Sequence, residues 1–131
     1  MAVDPSRIQH VPLFATLTDA QRDSVAATLE ERHVEPGRHL TTEHGSGYFF
    51  FVIESGEADV SHDDGVVVAT LGPGDFFGEA AIFRTHRRTA TVTATTDTVV
   101  FAMFGADFAL LVEEIPGLKA EIDAALDARL P

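Results

Sequence analysis

The segment from residue 72 to residue 92 reads Gly-Pro-Gly-Asp-Phe-Phe-Gly-Glu-Ala-Ala-Ile-Phe-Arg-Thr-His-Arg-Arg-Thr-Ala-Thr-Val. A glycine, a carboxylate and a short apolar turn stand nine residues before an arginine that begins a β-like run. The chain has a net charge of -12 and only nine lysine and arginine residues, yet Arg84, Arg87 and Arg88 all fall in this segment. A small positive pocket in an acidic protein predicts a small anionic ligand.

The composition is that of one globular domain. The 131 residues, 45% of them hydrophobic, are enough to form a core. The absence of cysteine excludes disulfides, thiol chemistry and a cysteine zinc site. No run has the pattern of a signal peptide or the length of a membrane span, which predicts a cytoplasmic protein without membrane insertion. The acidic balance argues against direct binding of nucleic acid, because phosphate backbones need a basic face.

A helix is predicted near the N-terminus. Thr18 and Gln21 form the pattern of a capping box, in which each side chain satisfies a backbone amide of the first turn. Val25 and Leu29 follow at helical spacing. We therefore expect a helix from Asp19 to Glu31.

Short β-like runs separated by turn residues follow, from about residue 33 to residue 104. The clearest of them cover residues 48–53, 58–61, 66–71, 89–95 and 98–104. Asp63-Asp64-Gly65 is typical of a hairpin tip. Seven or eight short strands at this spacing are typical of a sandwich, a barrel or a jelly roll.

Helical periodicity returns after Gly105. Residues 106–114 predict one helix, and Pro116 suits the first turn of another. In that second helix Leu118, Ile122 and Leu126 lie one turn apart on one face. The chain shows no internal repeat, so we expect a single domain over residues 1–131.

The residues around Gly78 and Arg88 suit a cyclic phosphodiester that carries a ribose. Glycine lets the backbone approach an anion, and the amides of a strand-to-helix turn that includes Ala80 and Ala81 can point at it. Arg88 can bind two phosphate oxygens in a fork. Glu79 only accepts hydrogen bonds, so it suits a ribose hydroxyl and can orient the arginine.

These residues resemble the phosphate-binding cassette of the cyclic nucleotide-binding domain family, which includes the catabolite activator protein, protein kinase A regulatory subunits and cyclic-nucleotide-gated channels. Its Phe-Gly-Glu-x-Ala is matched by residues 77–81, and its Arg-x-Ala-x-Val by residues 88–92. The resemblance covers about residues 12–130. It implies a mainly β fold with flanking helices, namely an eight-stranded, jelly-roll-like β-roll over about 33–104, one N-terminal helix, a short cassette helix and two C-terminal lid helices over about 106–130.

The resemblance also implies a role for each cassette residue. Gly78, Ala80 and Ala81 would give backbone N–H groups to the phosphate. Glu79 would take the ribose 2′-hydroxyl, and Arg88 would take the exocyclic phosphate oxygens.

Residues that would line the sugar and base are predicted less directly. Thr89 would face the phosphate or the base. A hydroxyl residue there occurs in some cyclic-GMP sites and in bacterial-type cyclic-AMP binders. We favour cAMP over cGMP because no other residue of the chain is predicted to recognise guanine. Val68 would form an apolar wall. Many members have proline where Arg87 stands, and we expect Arg87 to point into solvent. Leu126 and Arg129 remain alternatives for a residue that caps the base.

The predicted function is that of a sensor without catalytic activity. We see no nucleophile–base pair, and we expect no metal and no cofactor beyond the nucleotide ligand. The nucleotide would shift a population of conformers. The C-terminal helices would then repack and signal to an unidentified effector domain or protein, and they could also form a homodimer.

Three other readings stay open from the sequence. The chain could be the effector-binding part of a longer transcription regulator, or a ligand-free interaction module. A cupin-like metalloenzyme is the third, because the chain has six histidines. The cupin pattern of two histidines one residue apart with a nearby glutamate is missing, and His39, His44 and Glu43 form the sole local cluster.

Overall fold

The computed structural model describes residues 3–41, 49–62, 65–78 and 91–129. Short 3-10 helices at Pro5–Arg7 and Pro12–Phe14 precede helix α1 at Asp19–Thr28. The strands of the described part are β1 Glu30–Val34, β2 His39–Thr41, β3 Phe49–Ser55, β4 Ala58–Ser61, β5 Val67–Leu71, β6 Phe76–Phe77, β7 Thr91–Ala94 and β8 Thr98–Phe104. Helices α2 at Gly105–Glu114 and α3 at Pro116–Arg129 follow.

The strands form two four-stranded sheets. The first sheet has the order β1-β8-β3-β6 and the second the order β2-β7-β4-β5. Every pairing is antiparallel. This confirms the predicted β-roll, which is preceded and followed by helices along the chain. Strand β8 has the predicted bounds.

The predicted end of the first helix is wrong. Helix α1 stops at Thr28, and Leu29 already has extended φ and ψ of -87° and 144°. Residues 30–34 instead pair with β8, where Glu30 lies opposite Ala102. Long-range pairing therefore overrides the helical spacing of Val25 and Leu29, and the roll begins at residue 30 rather than 33.

The starts of α1 and α3 follow the sequence closely. The Thr18 hydroxyl accepts from the Gln21 amide at 3.1 Å, and the Thr18 amide donates to the Gln21 side chain at 2.9 Å, which confirms the capping box. Pro116 opens α3, in which Leu118 and Ile122 are buried. The Leu126 side chain and the predicted cassette helix lie outside the described residues.

Buried apolar residues fall into two clusters. The interior cluster lies between the sheets and includes Phe51, Ile53 and Phe77. The helix cluster lies between the first sheet and the helices and includes Phe50 and Phe76. Successive residues of β3 point into different clusters, so the strand is buried on both faces. This explains its unbroken apolar sequence.

Gly56 joins β3 to β4 in a left-handed conformation, with φ of +90°. A Cβ atom there would lie 2.5 Å from the Asp97 carbonyl oxygen and 2.7 Å from the Thr98 Cα. Only glycine fits this close backbone approach.

None of the helices in the described part is long and apolar enough to cross a membrane.

Candidate functional site

The cassette begins after a tight turn at residues 72–75. The Gly72 amide donates to Asp75 Oδ2 at 2.8 Å, and the Asp75 amide donates to the Gly72 carbonyl at 3.0 Å. The aspartate side chain thus accepts a hydrogen bond from the first residue of its own turn, as aspartate does in many turns. The chain direction into β6 is fixed locally.

The same turn is bound to the central strand β3. The Gly74 amide donates to the Ile53 carbonyl at 2.8 Å, and the Ile53 amide donates to the Asp75 carbonyl at 2.9 Å. Two backbone hydrogen bonds therefore join the turn to a strand that is buried on both faces. The start of the cassette is therefore joined directly to the core of the domain.

Strand β6 consists of two phenylalanines that point into different clusters. Phe76 packs against Phe50 in the helix cluster, with ring centroids 5.7 Å apart. Phe77 stacks on Phe51 in the interior cluster, with ring centroids 5.0 Å apart. The position of the next residue, Gly78, is thus held by packing on both faces of the sheet.

Gly78 is the one predicted phosphate-binding residue that the structure describes. Its φ is +99°, a conformation that favours glycine and turns the chain out of β6. The other predicted cassette residues, Glu79, Ala80, Ala81, Arg88 and Thr89, lie outside the described residues. Their roles stay predictions.

The far end of the cassette leads into β7, in the middle of the second sheet. Thr91 lies opposite Ser61, and Ser61 lies opposite Val67 on β5. Thr91 and Val67 are therefore two strands apart, or about 10 Å at the usual strand spacing. Thr89 precedes Thr91 by two residues in the sequence and lies outside the described residues.

Val68 occupies a β-bulge at this end of β5. Val60 pairs with Ala69 and Ser61 with Val67, which leaves Val68 as the extra residue between them. Its exposed fraction is 54%, and its neighbours Val66 and Val67 are similarly exposed at 54% and 51%. Bulges re-aim side chains beside binding sites. Val68 is an exposed apolar side chain, and its contact with the ligand stays a prediction.

No group of three or more histidine, cysteine, aspartate or glutamate side chains with metal-binding geometry occurs in the described ranges. The His39 imidazole is within 2.8 Å of the Thr93 hydroxyl. Asp59 accepts from the Thr70 hydroxyl at 3.1 Å. His44 and Glu43 lie outside the described residues, so the predicted local cluster is not described as a whole.

Two groups of residues near the site were not predicted from the sequence. One is the aromatic series that runs from Phe76 through Phe50 to Phe108 of α2, where Phe50 and Phe108 are 3.9 Å apart between centroids. The hydrophobic pattern placed these rings in a core but could not pair them. The other is the guanidinium of Arg7, which binds Glu54 on β3, the strand that supports the turn. No local spacing links residues so distant in sequence.

Phe104 marks the junction between β8 and α2. Its ring stacks on Phe49 with centroids 5.0 Å apart, and the Arg32 guanidinium carbon lies 4.4 Å from the Phe49 centroid. Phe104 is nevertheless 60% exposed. An exposed ring therefore stands where the β-roll passes into the C-terminal helices.

Residues 31–114 match the family described as the cyclic nucleotide-binding domain. The chain belongs to this family. The match covers well over half of the chain and spans both ends of the cassette. It confirms the resemblance that the sequence of residues 77–92 indicates.

The chain is also similar to individual proteins of known description. A relative from Colletotrichum orbiculare, the cAMP-dependent protein kinase regulatory subunit, is 37% identical over 112 residues. The alignment covers 85% of this chain and 29% of the relative. The chain thus spans less than a third of that curated relative. That relative is a regulatory subunit, and this chain is similar to part of it.

Two solved structures share the fold. A protein from Geobacter metallireducens, described as a candidate cyclic nucleotide-binding protein, has a TM-score of 0.86 with 24% identity, covering 98% of this chain and 99% of that chain. The Thermus thermophilus catabolite activator protein has a TM-score of 0.78 with 27% identity, covering 90% of this chain and 57% of that chain. Both agree with the two-sheet roll and its flanking helices.

Proposed function

We propose that this domain is a sensor that binds a 3′,5′-cyclic nucleotide, cAMP in preference to cGMP, and signals through its C-terminal helices. Gly78, Ala80 and Ala81 would donate backbone hydrogen bonds to the phosphate. Glu79 would accept from the ribose 2′-hydroxyl, and Arg88 would bind the exocyclic phosphate oxygens.

The observation that carries the proposal is the conformation of Gly78 at the end of β6. The turn at residues 72–75, its two hydrogen bonds to β3 and the packing of Phe76 and Phe77 fix the point at which the cassette begins. Backbone amides that are held in place before the ligand arrives bind an anion without a large ordering cost. Family membership supplies the ligand class.

The route of the signal is supported by the aromatic series. Phe76 stands two residues before Gly78 and contacts Phe50, and Phe50 stacks on Phe108 in α2. A shift of β6 on nucleotide binding would change the contact surface of α2 without an intermediate loop. Packed side chains transmit such shifts because a dense core has few alternative arrangements.

Isothermal titration calorimetry with cAMP and cGMP tests the ligand. We expect binding in the submillimolar range or tighter, with cAMP the better ligand. Arg88→Ala should weaken binding at least about 30-fold, because it leaves a desolvated phosphate charge without its partner. Arg87→Ala is the matched control and should change affinity less than about threefold. If neither nucleotide binds to the wild type, the proposal is wrong.

A second titration tests the role of Glu79. 2′-Deoxy-cAMP should bind the wild type about 10-fold or more weakly than cAMP, which corresponds to one lost hydrogen bond to a charged group. Glu79→Gln should reduce that difference. An unchanged preference for the ribose hydroxyl would assign the hydroxyl to another residue.

Thr89 is the proposed determinant of the base. Thr89→Ala should alter the ratio of cAMP to cGMP affinity while both nucleotides still bind. Val68→Ala is titrated in parallel. A residue that contacts the base changes the ratio of the two affinities, whereas an apolar wall affects both affinities alike. A ratio that stays constant in both variants would place base selection elsewhere, with Leu126 and Arg129 the next variants to make.

The proposal extends to the cellular setting. We infer a cytoplasmic, non-catalytic domain that acts on an effector domain or protein. A homodimer through the C-terminal helix is the assembly to test. Sedimentation velocity with and without nucleotide tests the dimer. A chain that binds no nucleotide but still binds an effector would be a ligand-free interaction module instead.

A further inference from the structure

The guanidinium of Arg7 joins the N-terminal segment to three strands of the first sheet. Its Nε donates to Glu54 Oε2 at 2.8 Å and its Nη2 to Glu54 Oε1 at 2.5 Å, which forms a two-point fork with β3. Its Nη1 binds Glu31 on β1. Its Cζ lies 5.0 Å from the ring centroid of Phe101 on β8. One side chain thus contacts β1, β8 and β3 at once.

The charges in this group reinforce one another. The Glu54 and Glu31 carboxylates raise the pKa of Arg7 further above its already high value. The hydrogen bond from His33, and then that from Arg7, lowers the pKa of Glu31. All four side chains are at least partly exposed, so water and salt weaken each pair. The two-point geometry of the fork, more than the charge, therefore determines how Arg7 is oriented on Glu54.

The Arg7 fork lies next to the support of the cassette. Glu54 directly follows Ile53, whose amide and carbonyl hold the turn at residues 72–75 through Asp75 and Gly74. The same N-terminal segment reaches that turn again, because the Pro12 Cδ atom lies 3.2 Å from where a Cβ on Gly74 would stand. The segment therefore touches both the strand and the turn that position Gly78.

The rest of the segment is buried. Val3, Ile8 and Val11 belong to the helix cluster, and Pro12–Phe14 packs against α3. The segment is thus in contact with the turn below the cassette on one side and with a C-terminal helix on the other.

We propose that Arg7 is a positioning residue for the nucleotide site: its fork with Glu54 holds the N-terminal segment on β3 and thereby keeps the turn at residues 72–75 ordered. This inference rests on the proposed function for its effect on affinity. A turn that is ordered before binding costs less to order on binding. Loss of the fork therefore loosens the turn and weakens nucleotide binding.

Hydrogen exchange of the wild type, Arg7→Ala, Arg7→Lys and Glu54→Gln tests the inference. We expect Arg7→Ala and Glu54→Gln to speed exchange of the Ile53, Gly74 and Asp75 amides about 10-fold or more, since local opening sets these rates. Arg7→Lys keeps the charge but not the fork, and should give an intermediate rate. The Kd for cAMP should rise about three- to tenfold in the first two variants.

Thr98→Val controls for a general loss of stability. Thr98 is buried at the start of β8, next to Gly56, and donates to the Thr96 carbonyl at 2.9 Å. Its loss should destabilise the domain while exchange at residues 72–75 rises no more than in the rest of the sheet. Lys119→Ala removes an exposed ion pair with Asp123 and should change neither exchange nor affinity.

The outcomes separate the inference from the proposed function. Exchange at residues 72–75 that is unchanged in Arg7→Ala, or that rises equally in Thr98→Val, overturns the positioning role. An unchanged Kd in Arg7→Ala, with a wild type that binds cAMP, overturns it as well. A wild type that binds no cyclic nucleotide overturns the proposed function, and exchange alone then decides whether Arg7 orders the turn.

Discussion

Phe50 of β3 and Phe108 of α2 lie face to face, with ring centroids 3.9 Å apart and planes 8° from parallel. Both rings are almost completely buried. Phe50 also contacts Phe76, which stands two residues before Gly78. The first C-terminal helix and the strand that ends at the cassette therefore share one packing partner.

Truncation of Phe108 should destabilise the domain severely. Phe108→Ala is expected to lower the free energy of unfolding by about 3–5 kcal/mol, because a buried ring leaves a cavity. Urea denaturation followed by circular dichroism measures this change. Leu110→Ala is the control on the same helix, since Leu110 is 55% exposed and its loss should cost less than about 0.5 kcal/mol. Equal losses in the two variants would contradict the packing described for α2.

The glycine between β3 and β4 should tolerate no side chain. Gly56→Ala is expected to cost more than about 3 kcal/mol, since the new methyl group would collide with backbone atoms of Asp97 and Thr98. Gly37→Ala is the matched control, because Gly37 also has a positive φ of +89° but has no atom within 4 Å of the added Cβ. It should cost about 1–2 kcal/mol from backbone strain alone. Thermal unfolding ranks the pair, and the reverse order would refute the close approach.

The capping box should contribute measurably to α1. Thr18→Ala removes the acceptor for the Gln21 amide and is expected to lower the unfolding free energy by about 1 kcal/mol. Ser24→Ala within the same helix loses only an exposed bond to the Ala20 carbonyl, and should change stability by less than about 0.5 kcal/mol. Urea denaturation of both variants is sufficient, and a Thr18 effect as small as that of Ser24 would count against the cap.

The stabilisation that Glu31 contributes should be lost in acid. Hydrogen bonds from His33 and Arg7 lower the pKa of its carboxyl group, so the fold favours the carboxylate. This stabilisation is present above the pKa of an unfolded glutamate, about 4.3, and is lost as the pH falls through the lower folded value. The difference in unfolding free energy between wild type and Glu31→Gln should therefore shrink as the pH drops below about 4.

A second background checks the cause of that acid effect. Because His33 is the larger contributor, the difference caused by Glu31→Gln should depend less on pH in a His33→Gln background. Urea denaturation across the acid range gives all four values of the cycle. A difference that grows on acidification would mean that Glu31 is better accommodated in its protonated form.

Local patterns in the sequence predicted local structure well. The Thr18 capping box, the proline that opens α3 and the bounds of β8 are all where the sequence places them. The capping box and the proline each depend on residues within one helical turn. The end of α1 was predicted wrongly because strand β1 is defined by pairing with β8, about 70 residues away.

The candidate site was predicted unevenly for the same physical reason. The motif around Gly78 identified the family, and the glycine has the left-handed conformation that a turn out of a strand requires. The β-bulge that exposes Val68 follows from register with β4, which no local pattern shows. The Arg7 fork joins residues 47 positions apart, so it could emerge only from the folded chain.

The exposed ring of Phe104 also has a practical consequence. The chain contains no tryptophan. Phe104→Trp would therefore introduce a single indole fluorophore beside Phe49 and Arg32, at the junction of the roll and α2. Because the position is largely exposed, the larger ring needs little internal space. Its emission would convert the proposed movement of the helices into an optical signal, so that the domain itself would become an indicator for the proposed ligand.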